Sequence, residues 1–216
     1  MLGFKTEGII LKRREFGEAD RILTVFSLNR GKITVLAKGV RRITSRRAGN
    51  VELLNRVVMY LHPGKNFLIL TEATALETFA KLKEDLTLST YAYHILELVD
   101  KLAAENQENR DLYFHLVEVL QRLSKNPRQI LIRAYEAKIL SNLGFTTFQR
   151  GGVNVSHLEG GIAWHLKDLE IKSWDEIERM KINQKQALEL EQTLRYTIER
   201  VIEGKLKSRR FLKWTR

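Results

Sequence analysis

The sequence predicts an α+β protein: a small five-stranded β-barrel over residues 1–80, followed by an α-helical domain over 81–216. The helical domain carries a small glycine-rich hairpin insert at about residues 145–171. Short apolar runs separated by turn signals fill the first 80 residues. After Phe79 the apolar residues recur at spacings of three and four, the helical period. The paired glycines Gly151-Gly152 and Gly160-Gly161 then interrupt that period.

Ile9-Ile10-Leu11 forms the apolar centre of the first strand, and Arg21 to Ser27 the second. Asn29-Arg30-Gly31 supplies a turn, because Asn and Gly accept positive φ. Lys32 to Ala37 returns as the hairpin partner, with Ile33 and Val35 on one face. Val51 to Leu61 and Phe67 to Leu76 are the last two strands, joined through His62-Pro63-Gly64-Lys65-Asn66. Five antiparallel strands of this size suit a small closed barrel, and the OB-fold is such a barrel used on nucleic acid.

In the second half, Tyr91, Ile95, Leu98 and Leu102 form one apolar stripe, and Leu112, Leu116, Leu120 and Leu123 another. Asn126-Pro127 reads as the start of a third helix, with Asn as N-cap and Pro at the first helical position. That helix runs to Leu143, stops at Gly144 and is apolar nearly all round, as a central buried helix is. Ser173-Trp174-Asp175-Glu176 matches a capping box. A last helix carries Ala187, Leu190, Leu194, Ile198 and Val201 and ends by Gly204.

The net charge is +11. Residues 1–80 hold 14 Lys/Arg against 7 Asp/Glu, and residues 181–216 hold 10 against 4, while 81–180 are near neutral. Two basic ends around a neutral middle point to binding faces for a polyanion. The densest run is Lys38 to Arg47, where Lys38, Arg41, Arg42, Arg46 and Arg47 stand with no acid among them. Such a loop repels itself unless an anion lies against it, and a nucleic-acid backbone is the polyanion that suits it. Phe4, Phe16, Tyr60 and Phe67 are the aromatic rings available to stack on bases, although the core is the expected place of each. The tail from Lys205 to Arg216 has six cations and no acid; two readings stand equally, one in which Phe211 and Trp214 anchor it with Arg209 and Arg210 facing out, the other in which it is frayed.

Cysteine is absent, which excludes disulfides, thiolate nucleophiles and every zinc site that needs sulfur. His157 and His165 lack the carboxylate pattern of a metal site, and no phosphate-binding loop or nucleophile elbow is present. Glu15, Glu18 and Asp20 cluster as magnesium ligands of a nuclease do, but Arg13, Arg14 and Arg21 among them favour ion pairing. Neither a secretory signal nor a membrane span is apparent, so a cytoplasmic protein is expected.

Gly8-Ile9-Ile10-Leu11, Phe16-Gly17-Glu18-Ala19-Asp20-Arg21-Ile22-Leu23, Gly31-Lys32 and Ala37-Lys38-Gly39-Val40-Arg41-Arg42 with Ser45 follow one another in a distinctive order. With Arg133 to Leu140 and Leu143-Gly144-Phe145, this order resembles the RecO family of bacterial DNA repair proteins over nearly the whole chain. The resemblance implies an OB-fold with a helical domain and a non-enzymatic recombination mediator without cofactor. It implies binding of single- and double-stranded DNA, annealing of complementary strands and assistance to RecA loading. RecR and the acidic, apolar C-terminal tail of the single-stranded DNA-binding protein SSB are the implied partners, with the RecA filament an indirect one.

Lys38 and Arg42 match the family's basic DNA-contact motif. Arg41, Arg46, Arg47, Lys32, Arg209 and Arg210 are the supporting candidates. An SSB tail needs apolar walls and cations for its carboxylates, and Arg133, Arg122, Lys125 and Arg128 stand near the junction of the second and third helices. An Arg133–Glu136 ion pair is the competing role for the first of these. Many relatives carry two Cys-x-x-Cys pairs after the Gly-Phe, where this chain has Thr146, Thr147, Phe148 and Gln149, so zinc is not implied. The alternatives are a metal-dependent nuclease and an RNA-binding or ribosome-associated OB-fold factor.

Overall fold

A computed structural model describes residues 2–145 and 161–208. Its elements in order are β1 (Phe4–Phe16), β2 (Asp20–Ser27), β3 (Gly31–Ala37), β4 (Arg56–Pro63), β5 (Leu68–Glu77), α1 (Ala80–Glu84), α2 (Leu86–Leu102), α3 (Arg110–Lys125), α4 (Gln129–Asn142), α5 (Gly161–Ile171), α6 (Trp174–Arg179) and α7 (Gln184–Val201). The chain divides into two compact units. The first comprises residues 1–83 and 99–113, the second residues 84–98 and 114–216. A boundary at 80 and 81 was the expectation; residues 99–113 return to the first unit.

In the first unit the strands close a barrel in the order β1-β2-β3-β5-β4. β1 pairs with β4 through its first half and with β2 through its second. The register slips between Ile10 and Lys12, a bulge that bends this 13-residue strand around the barrel. The expected all-antiparallel barrel is corrected at one seam, since β3 runs parallel to β5, with Val35 opposite Leu68 and Leu36 opposite Ile69. The fourth strand begins at Arg56, because residues 51–55 are turn. Alternating Leu23, Val25, Ile33, Val35, Val57, Met59 and Leu61 fill the interior. Residues 99–113 cover part of the outer wall. Tyr113 packs on Phe26 with ring centroids 6.2 Å apart and donates its hydroxyl to Glu7 at 2.8 Å.

In the second unit α4 is the buried centre, with every side chain from Leu131 to Leu140 buried. Its N-terminus corrects the expectation: Arg128, not Asn126, is the N-cap, with no side-chain cap, and Pro127 precedes the helix. Gly144 follows the C-cap at a φ of 83°, the left-handed geometry glycine takes without a Cβ clash. α6 opens on the expected capping box, Ser173 accepting from the Glu176 amide and Glu176 accepting in return. A second box, Asn183 with Gln186, opens α7. Residues 161–171 form helix α5 where an irregular insert was expected; the rest of the expected hairpin lies outside the described residues.

The charged groups on α4 are buried together with their partners. Glu136, 1% exposed, accepts two bonds from Arg133 Nη1 at 2.7 and 2.9 Å, and its Oε1 lies 2.7 Å from His94 Nε2. Burial would raise this carboxyl, but Arg133 and His94 outweigh it and hold it below the usual carboxylate range. Lys138 donates to the carbonyls of Glu170 and Lys172 at the end of α5. Burial lowers its pKa, with Glu170 and Glu176 opposing.

Candidate nucleic-acid interface

The basic run lies in the connection between β3 and β4, a succession of turns over residues 38–55. Buried Val40, Val51 and Leu54 hold this loop against the barrel. Asn55, almost fully buried, donates to the carbonyls of Gly49 and Asn50, and Asn50 accepts from the Ala75 amide of β5. At the start of the loop Gly39 has a φ of 64° and donates its amide to Asp20 Oδ1 at 2.7 Å. Asp20 is the anchor that sequence reasoning assigned to a carboxylate cluster; its pairing depends on a residue 19 positions away.

The five cations of the run divide into two kinds. Arg47 donates to the carbonyls of Leu70 at 2.7 Å, Thr71 at 3.3 Å and Lys38 at 2.8 Å. Arg41 donates to the Glu18 carbonyl and pairs with Glu15 at 3.2 Å. These two guanidinium groups pin the loop. Lys38, Arg42 and Arg46 are exposed, and no side-chain hydrogen bond or ion pair holds them among the described residues. With Asp20, Gly39, Thr44, Ser45 and Arg47 they line an open concavity of about 620 Å³. Nearby, burial, then Arg13 and Arg41, lower the pKa of Arg21 against the pull of Glu15. Unpaired cations around a concavity suit the phosphates of a strand, contacts that position without reading sequence.

Other expected contacts lie elsewhere. Lys32 sits on the outer wall, its ammonium donating to the Asp100 carbonyl at 2.6 Å beneath residues 100–106, which removes it from this concavity. Arg209 and Arg210, with Phe211 and Trp214, lie outside the described residues. The stretch before them is anchored, as Lys207 and Ser208 donate their amides to Glu97, both at 2.8 Å. Glu15 and Asp20 are engaged by Arg41 and Gly39, and no group of three or more His, Cys, Asp or Glu gathers for a metal ion among the described residues.

The aromatic residues are not all core. Phe4 lies under the Arg30 guanidinium at 4.0 Å, and Tyr60 packs on His62. Phe16, however, is 43% exposed, and its ring meets that of half-buried Phe67 edge to face at 6.3 Å.

The second unit holds a smaller groove of about 250 Å³, whose walls include Ile130, Met180, Ile182 and Leu190 beside Arg128 and Arg133. Of the four cations expected around an acidic tail, these two line it. Arg122 does not: it bonds Glu118 at 2.7 Å, Glu178 at 2.7 Å and Asp175 at 2.6 Å, and these carboxylates raise its pKa against the opposing effect of burial. Lys125 is exposed at the end of α3 and lines neither concavity.

Comparison with known proteins gives two family matches, Recombination protein O N terminal over residues 1–79 and Recombination protein O C terminal over residues 83–147. A protein of Pelotomaculum thermopropionicum named DNA repair protein RecO is 34% identical over 74% of this chain and 61% of its own length. A namesake from Symbiobacterium thermophilum is 32% identical over 74% of this chain and 69% of its own. Another, from Desulforamulus reducens, is 28% identical over 97% and 93%. The chain spans 61%, 57% and 50% of three of the relatives it matches.

Proposed function

The chain belongs to the RecO family, and from that premise we propose that it is a non-enzymatic recombination mediator that binds single- and double-stranded DNA through Lys38, Arg42 and Arg46. One observation carries the reading. Arg47, Arg41 and Asp20 pin the loop to the barrel, so that three exposed cations remain around one concavity. Neutralised phosphates release counterions, and two strands held on cationic surface repel each other less, which favours annealing of complements. Assistance to RecA loading on SSB-coated strands, with RecR as a partner, is part of the same proposal, supported by the resemblance to the family. No helix among the described residues is long and apolar enough to cross a membrane. A cytoplasmic, nucleoid-associated protein is part of the same reading.

The groove with Arg128 and Arg133 over apolar walls has the chemistry to receive the acidic, apolar C-terminal tail of SSB. Arg133 also lines this groove, with its Nη1 already bound to Glu136.

A salt titration of oligonucleotide binding tests the proposal. Lys38→Ala with Arg42→Ala weakens binding and flattens the slope of log K against log salt by about two units. An unchanged slope removes the loop from the DNA path.

A further inference from the structure

We propose that Phe16 and Phe67 form a stacking site for an unpaired base of single-stranded DNA, beside the phosphate-binding cations. The inference rests on the DNA-binding reading above and adds a discrimination between single strands and duplex.

Neither ring belongs to the barrel core, which is complete without them. In β5, Leu68 and Leu70 pack on that core, so the strand's alternation sends Ile69 outward, and half-buried Phe67 lies in the bend just before the strand. In β1, Phe16 lies directly opposite Asp20 of β2, so the two side chains share one face. Asp20 is itself part of the wall of the cationic concavity and holds Gly39 there. Phe16 is thus the cross-strand neighbour of a residue whose concavity Lys38, Arg42 and Arg46 also line.

The two rings come from the last residue of β1 and from the β4–β5 connection, and meet edge to face, 68° apart in plane. An edge-on contact covers one ring's edge and leaves a π-face of the exposed ring open. Arg14, two residues before Phe16 on the same side of β1, and Lys65, two residues before Phe67, are both exposed. An aromatic face bordered by cations binds a base by stacking and its phosphates by charge. Duplex bases have their faces covered by neighbours, so the site serves unpaired ones.

The test uses the full chain and two probes of equal length, a labelled oligothymidylate and a blunt duplex. Phe16→Ala and Phe16→Leu are expected to weaken oligothymidylate binding roughly fivefold or more, the effect of losing one stacked base. The salt slope stays as in the wild type, since no phosphate contact is removed. Duplex affinity is unchanged, and Phe16→Trp restores the single-strand affinity. The leucine variant keeps apolar bulk and therefore the fold, so its loss isolates the π-face. Wild-type affinity in Phe16→Leu, or an equal loss on duplex and single strand, overturns the stacking site. A wild-type chain that binds neither probe overturns the DNA-binding premise instead.

Discussion

The Arg47 guanidinium donates to the Leu70 carbonyl of β5 at 2.7 Å, which makes a cation of the basic run a structural tie between loop and barrel. The same side chain reaches the Thr71 and Lys38 carbonyls. Arg47→Ala is therefore expected to lower stability by about 2–3 kcal/mol, as loss of charge-assisted bonds does. Arg47→Lys recovers only part, because one ammonium cannot reproduce a planar fork. Lys38→Ala leaves stability within about 0.5 kcal/mol, as an exposed side chain without partners should. Urea denaturation of the three variants checks the contrast.

Glu136 gives the second unit an acid-side dependence. Its folded pKa is depressed, so the carboxylate's contribution is fully present above the unfolded value near 4.3 and is lost as pH falls through the lower folded value. Stability measured by urea from pH 6 downward should hold above about 5 and then decline. Arg133→Met leaves burial opposed by His94 alone. It should lower stability at pH 7 by about 3–5 kcal/mol and shrink the acid-side decline.

Arg122 separates stability from partner binding. It neutralises Glu118, Asp175 and Glu178, which face one another once it is gone. Arg122→Ala should cost about 1–2 kcal/mol, less in high salt, and leave affinity for an acidic, apolar SSB-tail peptide unchanged. Arg128→Ala, by contrast, should weaken that peptide, because Arg128 lines the groove. Thermal melts at two ionic strengths and a peptide titration measure the two effects.

Features carried by a few consecutive residues were legible in the sequence. The Ser173–Glu176 box, the glycine stop at Gly144 and the stripes of α2 and α3 are local, because their energy comes from neighbours three or four positions apart. The apolar centre of β1 was legible, but its continuation through Lys12 to Phe16 was not, since those polar residues become strand only by pairing with Asp20 to Thr24. The parallel β3–β5 seam and the return of residues 99–113 to the barrel depend on distant chain segments, on which local periodicity is silent. α4 illustrates the limit from the other side: Asn126-Pro127 has the chemistry of a helix start, yet Arg128 takes the cap position. The second basic end is partly outside the described residues, so the site stands on the first alone.

By itself the sequence determined that a barrel with a dense cationic loop precedes a helical domain, because alternation, helical period and charge density are properties of neighbouring residues. Only the tertiary structure decided which cations remain available. Arg41 and Arg47 are held by carbonyls and a carboxylate that other strands and turns supply, whereas Lys38, Arg42 and Arg46 meet no such partner among the described residues. It likewise decided that Phe16 stands outside the core: the closed barrel fills its interior with the alternate residues of five strands and leaves that ring on the outer face, beside Asp20.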